Sequence, residues 1–266
     1  MPSEQTDFLA TQLKELPYFR AFLRAVESTF YQDLPLPQPT LDLGCGDGHF
    51  AARTFPRPLD VGLDPWWAPL QEARHHHSHA YRLLTQADGA AMPFPDRAFA
   101  SAVSNSVLEH IPHLDAVLAE TARVLQPGAP FYFCVPNHRF LETLSIGRAL
   151  DKMGLRPLGN AYRAFFNRIS RHHHCDDPAT WETRLNRAGF DVVTWWHYFP
   201  PRALHILEWG HYFGLPSLMV KKLTGRWILA PTQWNLGWLE RRLRPLYENP
   251  KHPEGVYTFY VARRRG

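Results

Sequence analysis

Three glycines on alternate positions, Gly44, Gly46 and Gly48, interrupt the stretch LDLGCGDGHF directly after an apolar run and directly before a segment of helical character. Glycine lets a backbone approach a ligand closely, and a helix start aims unpaired N–H groups at it, so this turn is a candidate cofactor cradle. The spacing is G-x-G-x-G. His49 stands where a dinucleotide fingerprint carries its third glycine, which disfavours a pyrophosphate cofactor. Asp64 ends the next apolar run, where a carboxylate can accept both hydroxyls of a ribose. Asp88, in QADG, ends the run after that and can accept a hydrogen bond from an adenine amine. Singly, these residues are a tight turn and a helix cap before Pro65; as a series at successive strand ends they point to a ligand.

LDLGCGDG, GLD, QADGAAMPFPDRAFASAVSNSVLEHI and LAETARVLQPGAPFYFCVPN, in this order and spacing, resemble the class I S-adenosylmethionine-dependent methyltransferases. The likeness is to their small-molecule, methyltransferase type 11-like branch, which carries the D-x-x-x-x-P-F-x-D-x-x-F run. It covers Thr40 to Asn137 closely and Pro178 to Trp196 loosely. The resemblance implies S-adenosylmethionine as cofactor and S-adenosylhomocysteine as product. It places Gly44 to Gly48 around the methionine part, Asp64 on the ribose, Asp88 near the adenine, and Asn105 and Ser106 at the methionine end. Asp42, Cys45, Pro65 and Gly89 complete the implied cofactor set. The N-P-P-Y turn that grips planar amines in some methyltransferases is absent, since Ser104-Asn105-Ser106-Val107 stands there, so transfer to nucleobase amines or glutamine amides is not expected.

Methyl transfer is an in-line displacement at a sulfonium carbon, so the enzyme mainly positions the acceptor and excludes water. An oxygen acceptor would gain from a base near neutral pKa. The candidates beside the expected site are His110 and Glu109 in LEHIP and His138 in PNHRF, although a helix-end role for His110 and a loop role for His138 are equally simple. Two histidine runs stand apart from the motifs. In RHHHSH, His75 and His79 would share a helix face one turn apart; a solvated helix end is the plainer account. RHHHCDD, Arg171 to Asp177, mixes imidazole, thiol and carboxylate and is a candidate for catalysis or metal binding, while Asp177 before Pro178 also makes a good helix cap. No metal is included in the expected site.

The elements that must position these groups follow from periodicity. Phe8, Leu9, Leu13, Leu16, Phe19, Phe22, Leu23 and Val26 recur at helical spacing and predict one or two N-terminal helices. Apolar runs at 41–43, 60–64, 80–88, 99–105 and 130–137 alternate with helical segments, the pattern of a parallel sheet with crossovers. Helices are predicted at 114–125 and 178–188, and further strands at 190–196 and 256–264. The expected fold is therefore α/β, a Rossmann-like seven-stranded sheet of the class I methyltransferase type with helical cap insertions. Its parts are an N-terminal helical segment at 1–36, a core at 37–138, 178–199 and 254–266, and cap or substrate insertions at 139–177 and 200–253.

Bulk properties are consistent with this. Among 266 residues, 45% are hydrophobic and 20% charged, as in a globular protein, and 29 basic against 25 acidic groups is too small an excess to call for nucleic acid. Three cysteines without a C-x-x-C pair form no disulfide framework. The N-terminus lacks a secretory pattern and no apolar window is long enough to span a bilayer, so a cytoplasmic protein is expected. Six of the nine tryptophans lie between Trp195 and Trp238, beside Lys221, Lys222, Arg226, Arg241, Arg242, Arg244 and Lys251. PSLMVKKLTGRWIL could form a cationic amphipathic helix, giving peripheral membrane contact through 200–250 and access to a lipid-like acceptor. The expected partner is a small-molecule or lipid-like methyl acceptor, modified at oxygen. The rivals are a cofactor-binding protein without turnover and a nucleic-acid methyltransferase.

Overall fold

Short β-branched and leucine-rich runs separated by amphipathic segments can bury themselves only as a parallel sheet covered on both faces. The computed structural model, which describes residues 6–225, 227–228 and 232–266, has this form. The helices α1 (Phe8–Leu13) and α2 (Tyr18–Tyr31) precede β1 (Thr40–Leu43), α3 (His49–Thr54), β2 (Leu59–Asp64), α4 (Trp67–His76), β3 (Tyr81–Gln86), β4 (Ser101–Asn105), α5 (Leu114–Val124) and β5 (Pro130–Pro136). Then come α6 (Arg139–Thr143), α7 (Ser145–Lys152), α8 (Arg156–Ser170), α9 (Pro178–Ala188) and β6 (Phe190–Tyr198). The chain closes with α10 (Pro201–Phe213), α11 (Leu215–Thr224), α12 (Gln233–Glu248) and β7 (Tyr257–Arg264).

Among the described residues, seven strands form one sheet in the order β3-β2-β1-β4-β5-β7-β6, with β7 antiparallel to both neighbours. The order reverses between β1 and β4, which pair in parallel with Asp42 opposite Val103. Chains leaving the sheet there diverge to opposite faces and open a crevice at the carboxyl ends of the strands. One face is covered by α2, α3 and α4, burying Phe22, Val26, Tyr31, Phe50 and Leu70, and the other by α5 and α9, burying Val117, Leu118, Trp181 and Leu185.

The segments after β5 and β6 are helical and meet each other. Glu208 of α10 is buried and caps α7, accepting from Ser145 N at 2.6 Å and Ile146 N at 3.2 Å, and it takes a third bond at 2.7 Å from Tyr162 Oη of α8. Close approach of α10 to α2 depends on Gly210, where a Cβ would lie 2.3 Å from Phe19 Cβ. One sequence expectation is corrected here. The second crossover helix ends at His76 and a 3-10 turn runs from Ser78 to Ala80, so His75 and His79 do not share a helix face. The expected cationic helix is present as α11 but stops at Gly225; Arg226 and Leu229 lie outside the described residues, as do the side chains at 215–218.

Helix α9 begins as its sequence requires, with Pro178 at the first position and Asp177 accepting from Thr180 N at 2.8 Å. It anchors through Trp181, fully buried against Phe133 at 5.1 Å and Tyr260 at 5.8 Å between ring centroids. Trp181→Ala is expected to cost about 3–5 kcal/mol of unfolding free energy. Denaturant titration would show this; a loss below about 1 kcal/mol would mean that α9 contributes little to the core.

Candidate functional site

The glycine turn is held by the strand beside it. Gly44 N and Cys45 N both donate to Leu63 O, at 2.8 and 3.0 Å, and Gly46 N donates to Asp64 Oδ2 at 3.0 Å. Gly44 has φ +79°, and a Cβ there would lie 2.3 Å from Val107 Cγ1, so both conformation and space exclude a side chain. Gly46 (φ +54°) meets nothing within 4 Å and leaves backbone open to the crevice. Gly48 does different work: it packs against Ala73, Tyr81 and His77 and does not line the crevice.

The crevice is a cavity of about 590 Å³. Asp42, Gly44, Cys45, Gly46, Asp64, Pro65, Asp88, Gly89, Asn105 and Ser106 all line it, as does His110. Asp64 is buried, and its second oxygen accepts from Trp66 N at 2.9 Å. Burial raises its pKa, partly offset by the Trp66 and Gly46 amides. Asp42 lies deeper; burial pushes its carboxyl up to about 6, although Tyr81 Oη donates to it at 2.6 Å and Arg24 attracts it. Asp88 is exposed at the rim and caps its own turn through Ala90 N at 2.9 Å.

A second chamber of about 220 Å³ adjoins the first, sharing Arg24, Ser106 and His110 with it. Its apolar wall is Phe19, Leu23, Phe140, Leu207 and Tyr257; its polar groups are Arg20, Arg24, Glu109, His110, His172 and His211. The partition between the chambers is a hydrogen-bonded knot. Glu27 of α2, fully buried, accepts from Asn105 Nδ2 at 2.8 Å, Ser106 Oγ at 2.8 Å and Tyr198 Oη at 2.9 Å. Arg24, one turn earlier, donates to Asn105 Oδ1 at 2.5 Å. Ser106 is held at φ +51°, a left-handed conformation that turns the chain after β4.

The histidine run at 171–174 is drawn into this chamber by backbone bonds. His173 N and His174 N donate to Glu109 O at 2.7 and 3.2 Å, and His110 Nδ1 donates to Arg171 O at 3.1 Å. His172 thereby packs beside His110, with ring centroids 5.3 Å apart. Burial pushes the Glu109 carboxyl up to about 8 and the His172 imidazole down to about 3, and it lowers His110 as well. His138 is not brought in. It precedes α6 at the far side of β5, is exposed, and lines neither chamber, because the chain turns away into a helix as soon as the strand ends.

A family model described as a methyltransferase domain matches residues 13–195. The chain belongs to the class I S-adenosylmethionine-dependent methyltransferase family. Over 104 residues the methyltransferase is 36% identical to a fatty-acid O-methyltransferase of Mycolicibacterium smegmatis, a match covering 38% of each chain. Over 122 residues it is 32% identical to a malonyl-[acyl-carrier protein] O-methyltransferase of Methylococcus capsulatus, covering 44% of each. The methyltransferase thus spans about two fifths of the length of these curated relatives. Its fold is shared with the solved structure of phosphoethanolamine N-methyltransferase 2 of Haemonchus contortus in complex with phosphomonomethylethanolamine and S-adenosylhomocysteine. That match has a TM-score of 0.55 at 15% identity and covers all of this chain and 59% of the other.

Sequence reasoning did not find Arg24, Glu27, His211 or the Tyr198 hydroxyl. A signal for Glu27 existed: it is a carboxylate inside the apolar stripe Phe22, Leu23, Val26, where a charge has to have buried partners. His172 was within a flagged run, but nothing local indicated which histidine would turn inward.

The Asp42 carboxyl gives a pH-dependent test on ligand-free protein. Its folded pKa, about 6, lies above the ordinary 3.8, so the protonated form favours folding below 3.8 and that contribution is lost as pH rises through 6. The penalty at neutral pH is at most about 3 kcal/mol. Asp42→Asn keeps an acceptor for Tyr81 and does not titrate. Its Tm relative to wild type should therefore rise between pH 5 and pH 8; a constant difference would show that Asp42 titrates normally.

Proposed function

We propose that the larger cavity binds S-adenosylmethionine and that its methyl group passes to a carboxylate oxygen of a small, lipid-like acceptor whose head enters the smaller chamber. The carrying observation is the pair of adjoining chambers of opposite character. Acidic groups, Asp42, Asp64 and Asp88, line the first, whereas Arg20 lines the second beside Glu109 and Arg24 borders both; Arg20 lies over the Trp227 ring and makes no ion pair among the described residues. A cationic cofactor suits the one, an anion the other. Two curated relatives are O-methyltransferases whose names specify a fatty acid and a malonyl group, which agrees with a carboxylate acceptor.

In this reading Gly44 and Gly46 of the turn and Asp42 hold the methionine part, Asp64 and Pro65 the ribose, and Asp88 and Gly89 the adenine, while Gly48 fixes the turn from behind. Cys45, Asn105 and Ser106 close the methionine end. A carboxylate lone pair forms the new O–C bond as the C–S bond breaks, its electron pair staying on sulfur to give S-adenosylhomocysteine and a methyl ester. No proton moves, so neither His110, Glu109 nor His138 is required as a base. The 139–177 and 200–253 insertions act as the cap that shapes the acceptor chamber and keeps water out. Phe213, Met219, Leu223, Trp234 and Trp238 are exposed on α10 to α12, which supports peripheral contact with a lipid surface; among the described residues, no helix is long and apolar enough to cross a membrane. The nucleic-acid reading loses support because Arg244 is already paired with Asp7 at 2.7 Å and with Glu240.

Calorimetric titration of S-adenosylhomocysteine should show micromolar binding, weakened at least tenfold, about 1.4 kcal/mol, by Asp64→Ala. If neither protein binds it, the cofactor assignment fails. Incubation with labelled S-adenosylmethionine and a panel of fatty acids and fatty alcohols should yield methyl esters only. Arg20→Gln should lower kcat/KM at least tenfold while S-adenosylhomocysteine affinity is retained. Ethers as products would overturn the carboxylate reading, and binding without any product would leave a protein that holds the cofactor without turnover.

A further inference from the structure

A methyl transfer to carboxylate needs no base, so the cluster Glu109, His110 and His172 is left without a task. We propose that these three side chains form a binding site for a first-row divalent cation of the zinc type, open toward the acceptor chamber. Their ligand atoms all lie within 4.8 Å of one another, two imidazoles and one carboxylate from two separate segments. Three protein ligands of this kind with a free position make a site that can take a further oxygen donor.

The orientation of each group supports the assignment. The Arg171 carbonyl can only accept, so the bond from His110 Nδ1 fixes the proton on that nitrogen and leaves a lone pair on Nε2. That lone pair lies 3.8 Å from Glu109 Oε1, too far for a hydrogen bond and with acceptor facing acceptor. The other carboxylate oxygen, Oε2, is buried without a hydrogen-bond partner among the described residues. An orphaned buried carboxylate oxygen is costly, and a cation between it and the imidazoles removes both defects. On the third ligand, His172 Nδ1 is 3.6 Å from Cys175 Sγ, which orients the ring, and the other nitrogen has no hydrogen bond among the described residues.

The segment carrying His172 is not a loose loop. Its backbone is clipped to Glu109 O through His173 N and His174 N, and His174 Nε2 donates to Ile111 O at 3.0 Å. The clip joins the two ligand-bearing segments before any ion arrives. Around a zinc ion, ligand atoms stand about 3.3 Å apart, so modest rotation of the two rings closes the set. Holding a carboxylate oxygen at the open position is a task that rests on the acceptor reading above; binding of the ion does not.

The test uses the full chain, stripped with chelator and free of cofactor and acceptor. Titration with Co²⁺ should produce a visible ligand-field spectrum saturating at one equivalent, reversed by Zn²⁺. His172→Ala and, independently, Glu109→Gln should each weaken Zn²⁺ binding at least a hundredfold in competition with a chromophoric chelator. The double variant His75→Ala/His79→Ala, in the other histidine run, should bind as wild type. Circular dichroism identifies a variant that fails to fold, and the second then decides. Absence of a stoichiometric site for Zn²⁺ and Co²⁺, or a site that survives in both folded variants, overturns the proposal and leaves a proton on Glu109 as what separates the facing acceptors. Either result stands whether or not methyl transfer is found. S-adenosylhomocysteine binding without metal binding sinks only this inference.

Discussion

The buried carboxylate of Glu27 is the interaction on which the site depends. Three donors converge on it: Asn105 and Ser106 from the end of β4, and Tyr198 from the end of β6. A carboxylate taken out of water is tolerated only when its lone pairs are satisfied, so these bonds must form together. Their joint effect is to pin the N-terminal helix α2 across the carboxyl ends of the strands. Arg24 then lies over the crevice, and the left-handed turn at Ser106 separates one chamber from the other.

The two chambers differ in charge because they are built from different layers. Acids at the ends of β1, β2 and β3 face the first, held by glycine-turn amides and by Tyr81. Arg20 of α2, His172 from the stretch after α8 and His211 of α10 face the second, and Arg24 borders both. On the proposed reading, a sulfonium and a carboxylate approach each other from opposite sides and both charges vanish in the transfer. A poorly hydrated site favours such neutralisation, since the reactants lose charge as they pass to products.

The second chamber is lined from separate stretches of chain: α2, the turn after β4, and the segments after β5 and β6. Glu208 ties α10 to α7 and α8, so the segments after β5 and β6 fold as one layer over α2. The chain between α8 and α9 is then bound by its backbone to Glu109, next to the larger cavity. Backbone bonds of this kind are blind to side-chain identity, and this is why a run of three histidines could deliver one of them, His172, into the interior while its neighbours anchor the segment.

The alternation of strands and helices and the glycine turn were legible in the sequence because they depend on short-range rules, whereas the antiparallel seating of β7 between β5 and β6 is a long-range pairing. Glycines at Gly44 and Gly46, acids at strand ends and the Asp177–Pro178 helix start each act within a few residues, and the predicted helix at 178–188 matches α9 at both ends. His138 lies outside both chambers, and His75 and His79 off a shared helix face, for the same reason. Position near a strand end, or four-residue spacing, does not determine which way a following turn sends the chain, and here a helix and a 3-10 turn carried them away. The smaller chamber was decided only by tertiary structure. Glu27 and Asn105, or Glu109 and His172, are far apart in sequence and meet because helices from three segments pack on one crevice. Such contacts are set by the collective burial of Phe22, Phe140, Phe166 and Leu207, which no local pattern encodes.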